Sequence, residues 1–134
     1  MPVGQNKEDM DNIKVMLFVE SRYKVNRKRV VTTIKNLLNE QMVTGAVEVS
    51  VAVVGDRKML DLNKKYRDKD ETTNVLSFSL NEDTQTDILR LGEVVISYPE
   101  VIREAAEEEV LVDDKIDELV KHGLSHLLGI HHQE

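Results

Sequence analysis

Cysteine is absent from the 134 residues, so neither a disulfide framework nor a thiolate zinc site can be built from this chain. Tryptophan is absent as well, and aromatic residues make up only 4%. Few rings are therefore on hand for stacking unpaired bases. No apolar run approaches the length of a membrane span. Residues 1–12 are polar and lack the apolar stretch of a signal peptide, so a cytoplasmic location is expected. Positive charge is also in deficit. A net charge of −7 argues against a protein that coats nucleic acid by bulk electrostatics. No internal repeat, low-complexity tract or linker is present.

The remainder reads as an ordinary globular chain. Its length suits one domain, residues 1–134, and hydrophobic residues at 40% and charged residues at 32% allow a sizeable core. The charge is uneven. Lys64, Lys65, Arg67 and Lys69 form a basic run, and nine acidic residues fall between Glu100 and Glu118 against Arg103 and Lys115. Both runs read first as solvated helix faces. The basic run also fits a cleft whose local field differs from that of the acidic body.

Hydrophobic periodicity predicts the elements. Ile13 to Glu20 reads as a buried strand. Asn26 caps a helix with Val30, Ile34, Leu37, Leu38 and Met42 on one stripe. Val47, Val49, Val51 and Val53 alternate with Glu48, Ser50 and Ala52 as a strand. Asp56 caps a second helix reaching Tyr66, Val75 to Phe78 is a short strand, residues 81–86 are a loop, and Gly92 to Ser97 is a further strand. Ser97 with Glu100 makes a capping box, and Pro99 suits the first turn of the next helix, which presents Val101, Ile102, Ala105 and Ala106. Asp113 caps the last helix, and Gly129 ends it in a left-handed turn. The order is β-α-β-α-β-β-α-α. The third and fourth strands are joined by too short a link for a helical crossover. The expected fold is therefore α+β: a mixed, mostly parallel four-stranded sheet packed with four to five helices in two or three layers.

All four histidines fall between His122 and His132. His122 and His126 are one helical turn apart and share a face, with Ile116, Val120, Gly123 and Leu127 on the adjoining core stripe. If Gly129 lets the chain double back, His132 closes the site as a third ligand. His131 diverges from His132 and reads as a supporting or solvent-facing group. Three imidazoles without cysteine favour an open, catalytic site for one divalent transition metal, zinc by ligand type, over a closed structural one. Such an ion lowers the pKa of bound water to about 7. Metzincin peptidases share this histidine spacing, but they carry a glutamate base after the first histidine, where this chain has Gly123. Metal-assisted hydrolysis is expected and proteolysis is disfavoured.

The segment from His122 to His132 resembles the signature His-Gly-x-Leu-His-Leu-x-Gly-x-Asp-His of the YbeY endoribonucleases, matching at His122, Gly123, His126, Leu127, Gly129 and His132. It departs at Ser125 and His131. Residues Asn63 to Phe78 are similar to the family's Asn-x-x-Tyr-Arg-x-Lys-Asp-x-Pro-Thr-Asp/Asn-Val-Leu-Ser-Phe, with Thr72 in place of proline. Leu91 to Ser97 resembles its Gly-Asp-Ile-x-Ile-Ser block, with Glu93 for aspartate. The resemblance runs from about Val15 to the end. The family carries a short helix after its third histidine, and this sequence ends two residues beyond His132.

The resemblance implies a metal-dependent endoribonuclease that cleaves single-stranded RNA in ribosomal RNA 3′-end maturation and ribosome quality control. It implies His122, His126 and His132 as ligands of one divalent ion, with His122 also placed in the catalytic machinery. Arg67 matches the family's functional arginine, and a guanidinium can clamp the charge that builds on a phosphodiester. Arg67, Lys69, Thr73 and Ser77 are the substrate-binding candidates. Without the family match, Arg67 reads first as a cation complementing a helix C-terminus, and Thr73, Asn74 and Ser77 equally as a turn held by side-chain hydrogen bonds. Implied partners are ribosomal RNA, the small ribosomal subunit and an assembly GTPase, with no DNA and no membrane. Two alternatives stay open: a metal-dependent hydrolase of a peptide or small amide, and a non-catalytic ribosome-assembly factor that needs the metal to fold.

Overall fold

The computed structural model describes residues 12–67, 73–80 and 87–131. Strand β1 (Ile13–Val19) leads through the Asn26 cap into helix α1 (Arg27–Glu40), and β2 (Val47–Val54) into α2 (Asp56–Arg67). Then come β3 (Val75–Ser79), β4 (Leu89–Ser97), α3 (Tyr98–Glu108) and α4 (Val112–His131). The four strands form one sheet in the order β1-β2-β4-β3. β1 pairs with β2, and β2 with β4, in parallel, while β3 runs antiparallel to β4. The mixed, mostly parallel α+β architecture predicted from the pattern is the one observed, and the β3–β4 pairing follows from their short link.

One face of the sheet presents Val47, Val49, Val51, Val53, Val94 and Ile96 to α1 and α4, which supply Ile34, Leu38, Ile116, Val120, Leu124 and Leu127. The opposite face presents Ala52, Val54 and Val95 to Met59 of α2. The result is three layers, with the larger core on the α4 side.

Several local expectations are corrected. β1 is an edge strand with one open face: Ile13 and Val19 are buried, but Met16 and Phe18 stand in solvent. Met42 does not continue the α1 stripe. The helix closes with the Val43 N–H donating to the Leu38 carbonyl, and Met42 turns outward at φ 59°. On α3 only Val101 and Ala105 reach the core, and Ile102 faces out. Asp56 and Asp113 lie inside the first turns of their helices and do not cap them from outside. β4 starts earlier than its pattern indicated, because Leu89 and Arg90 pair with Val47 and Glu48 ahead of an irregularity. Gly92 absorbs that irregularity at φ 136°, with its Cα so close to β3 that a Cβ would stand 2.1 Å from the Phe78 carbonyl oxygen. The predicted loop at residues 81–86 lies outside the described residues.

The acidic run is not a uniformly solvated face. Lys115 of α4 is buried, at 4% exposure, and bridges Glu104, Glu108 and Glu118 at 3.3, 2.9 and 3.0 Å. Hydrogen bonds to Glu108, then to Glu118, hold its pKa above the ordinary lysine value. Arg29 of α1 similarly binds Asp114 at 2.6 Å and Asp117 at 3.0 Å, and its pKa is raised by hydrogen bonds to Asp114 and then Asp117. The Thr33 hydroxyl donates to Asp117 at 2.6 Å. These contacts fix the N-terminal half of α4, the helix that bears the histidines.

Candidate functional site

Helix α4 packs across β3 and β4. Gly123 is buried against β4 and β3, and a Cβ there would lie 2.7 Å from a Val94 methyl and 3.0 Å from the Ser77 hydroxyl. The Ser77 hydroxyl donates to the Gly123 carbonyl at 3.2 Å. Glycine after the first histidine is thus a packing requirement. The position that holds a base in metzincins is here spent on bringing the helix down onto the sheet.

That contact decides where His122 and His126 stand. Both imidazoles are on the exposed side of α4, while Leu124, Leu127 and Leu128 are buried behind them. The two rings border a cleft of about 520 Å3 with Ser77, Val75, Leu76 and Phe78 of edge strand β3 and Tyr66 of α2. Among the described residues neither imidazole is engaged in a hydrogen bond or ion pair. Two imidazoles one turn apart, facing an open cleft, suit a borderline-soft divalent ion.

The third expected ligand, His132, lies outside the described residues, and among those residues no group of three metal-binding side chains forms. One expectation is overturned: Gly129 does not end α4, which continues to His131. Gly129 is not among the residues with positive φ, and its Cα faces open space. The buried Leu127 and Leu128 anchor the turn, and an interior glycine costs only about 1 kcal/mol against alanine.

The remaining candidates separate. Ser77 lines the cleft, but its hydroxyl is committed to α4. Thr73 is half-buried ahead of β3 and is not part of the cleft lining. Neighbouring Asn74 donates its amide to Glu104 at 3.1 Å, and its carbonyl accepts from the Ser97 N–H at 2.9 Å, so it ties β3 to α3 and β4. Arg67 is the last residue of α2, directly after Tyr66. Lys69 lies outside the described residues. Phe78, near the end of the short strand, is half-buried and lines the cleft, because β3 is an edge strand. Tyr66, the tyrosine of the Tyr-Arg match at the end of α2, stands opposite the histidines across this cleft.

Residues 16–134 match the family model described as Endoribonuclease YbeY. A relative from Anaeromyxobacter sp., named Endoribonuclease YbeY, is 44% identical over 86 residues, covering 64% of this chain and 44% of that protein. The protein of the same name from Aquifex aeolicus is 40% identical over 88 residues, covering 66% and 58%. That from Bartonella quintana is 33% identical over 113 residues, covering 83% and 70%. The chain spans about half the length of the first relatives it matches. The solution structure of a Thermotoga maritima protein superposes with a TM-score of 0.57 at 25% identity, over 86% of this chain and 71% of that one. With the family pattern extending over nearly the whole sequence, the chain belongs to the YbeY family.

Proposed function

We propose that residues 1–134 act as one metal-dependent endoribonuclease domain that cleaves single-stranded RNA in ribosomal RNA maturation. The observation that carries this reading is the cleft in which His122 and His126 stand beside β3 and Tyr66 in a chain of this family. His122, His126 and His132 would hold one divalent transition ion, zinc by preference of its ligands. When bound, that ion supplies Lewis acidity toward a phosphate oxygen or water.

The chain's own residues do the rest. Arg67, following Tyr66 at the end of α2, supplies the guanidinium that neutralises charge on the phosphodiester, and Lys69, two positions on in the sequence, adds a further positive charge for the RNA. Ser77 positions rather than reacts, since its hydroxyl keeps α4 on the sheet. Thr73, outside the cleft lining, is the weakest of the substrate-binding candidates. The small ribosomal subunit and an assembly GTPase are the partners this reading entails, and the cytoplasm its location. Among the described residues no helix is long and apolar enough to cross a membrane.

The test is cleavage of a single-stranded RNA by the purified protein and by His126→Ala, with circular dichroism on both. Cleavage by the first alone, with both folded, supports the reading. Equal cleavage by the two overturns the metal assignment. A folded wild-type protein without cleavage overturns the nuclease reading in favour of an assembly role, and a variant that fails to fold indicates a structural metal. A 2′,3′-cyclic phosphate on the product would identify the RNA 2′-hydroxyl as nucleophile.

A further inference from the structure

Tyr66 is 57% exposed although it is aromatic and borders the histidine cleft. Its ring is nonetheless held. Phe78 meets it edge-on with centroids 5.1 Å apart and an interplanar angle of 62°. Phe78 itself packs against the buried cluster of Ala52, Val54, Met59, Leu76 and Val95. The Lys65 ammonium lies 5.2 Å from the Tyr66 centroid, so the ring's π face already attracts a cation. A ring braced from the core, open to solvent and flanked by positive charge is what a single nucleic-acid strand needs in order to lay down a base.

We propose that Tyr66 is the stacking platform for one unpaired base of the substrate strand, next to the phosphodiester presented to His122 and His126. Phe78 braces the platform, and Lys65 supplies charge for a neighbouring phosphate. The selection this gives is for single strands. In a duplex both faces of each base are covered by neighbours, whereas an unpaired base has a face to offer. Tyr66 is a positioning residue and takes no part in bond breaking. The inference rests on the endoribonuclease reading and adds to it the feature of the RNA that is recognised.

The test uses Tyr66→Leu, which keeps apolar packing on Phe78 but removes the π face, and Tyr66→Phe, which keeps that face. Tyr66→Leu is expected to raise KM for single-stranded RNA by roughly 5- to 100-fold, with kcat changing less, and Tyr66→Phe to stay near wild type. An RNA carrying one abasic residue beside the cleavage position should lose the same factor on the wild-type protein and no further on Tyr66→Leu. Fluorescence anisotropy with labelled RNA reads the same ratio without turnover. An unchanged KM and affinity in Tyr66→Leu, with the wild type active, overturns the platform and leaves the nuclease reading standing. An equal loss in Tyr66→Phe also overturns it, by assigning the effect to the phenol hydroxyl. A wild-type protein that neither binds nor cleaves single-stranded RNA overturns the nuclease reading, and the platform with it.

Discussion

At the scale of single residues, one glycine carries more of the site than its size indicates. Gly123 lets α4 approach β4 and β3 closely enough for Ser77 to bond its carbonyl. Gly123→Ala must push aside a Val94 methyl at 2.7 Å, so the helix lifts and carries His122 with it. The expected cost is about 1–3 kcal/mol of stability, read as a lower urea midpoint, together with a loss of RNA cleavage. An alanine variant with wild-type stability would show that the contact is slack. This residue was legible in the sequence as a match to the family signature and as a member of the core-facing stripe, but the strands beneath it were not. Which strand lies under a helix position depends on sheet order, and no local pattern encodes that order.

At the scale of elements, α4 is the part on which sequence and structure differ most. The turn expected at Gly129 is absent, and the helix runs 20 residues to His131. Position 132 is ten residues from His122, about 2.8 turns. On a continued helix its ring would point roughly 80° from that of His122 and 120° from that of His126. Recruitment of His132 as a third donor therefore requires the chain to leave the helix near Gly129. Gly129→Ala meets no steric obstacle, since nothing lies within 4 Å of the added carbon. It should stabilise the metal-free helix by about 1 kcal/mol. The same preference should weaken zinc binding by roughly fivefold, measured by competition with a chelating indicator. Equal or tighter binding would indicate that the last turn need not open.

At the scale of the whole molecule, the acidic surface is organised by a few cations that fix α4 on its neighbours. Lys115→Met removes the cation shared by Glu104, Glu108 and Glu118 and should lower the melting temperature by several degrees. The folded-state pKa of Lys115 lies above its ordinary 10.5, so its stabilising contribution is fully present below pH 10.5 and is lost only as pH rises through the raised value. The gap between wild type and variant should thus hold from pH 7 to about 10 and close only in stronger alkali. A gap that closes by pH 9 in melts across that range would contradict this account. The sequence by itself determined the order of elements, the mixed sheet and the pairing of His122 with His126. Those rest on period-2 and period-3.6 patterns, on short links and on spacing, all of them local. Only the tertiary structure decided that β1 and β3 are edges, that Tyr66 and Phe78 face the histidines across one cleft, and that Lys115 sits buried among three glutamates. Each of these depends on which elements become neighbours, and that is set by burying apolar faces from distant parts of the chain against one another.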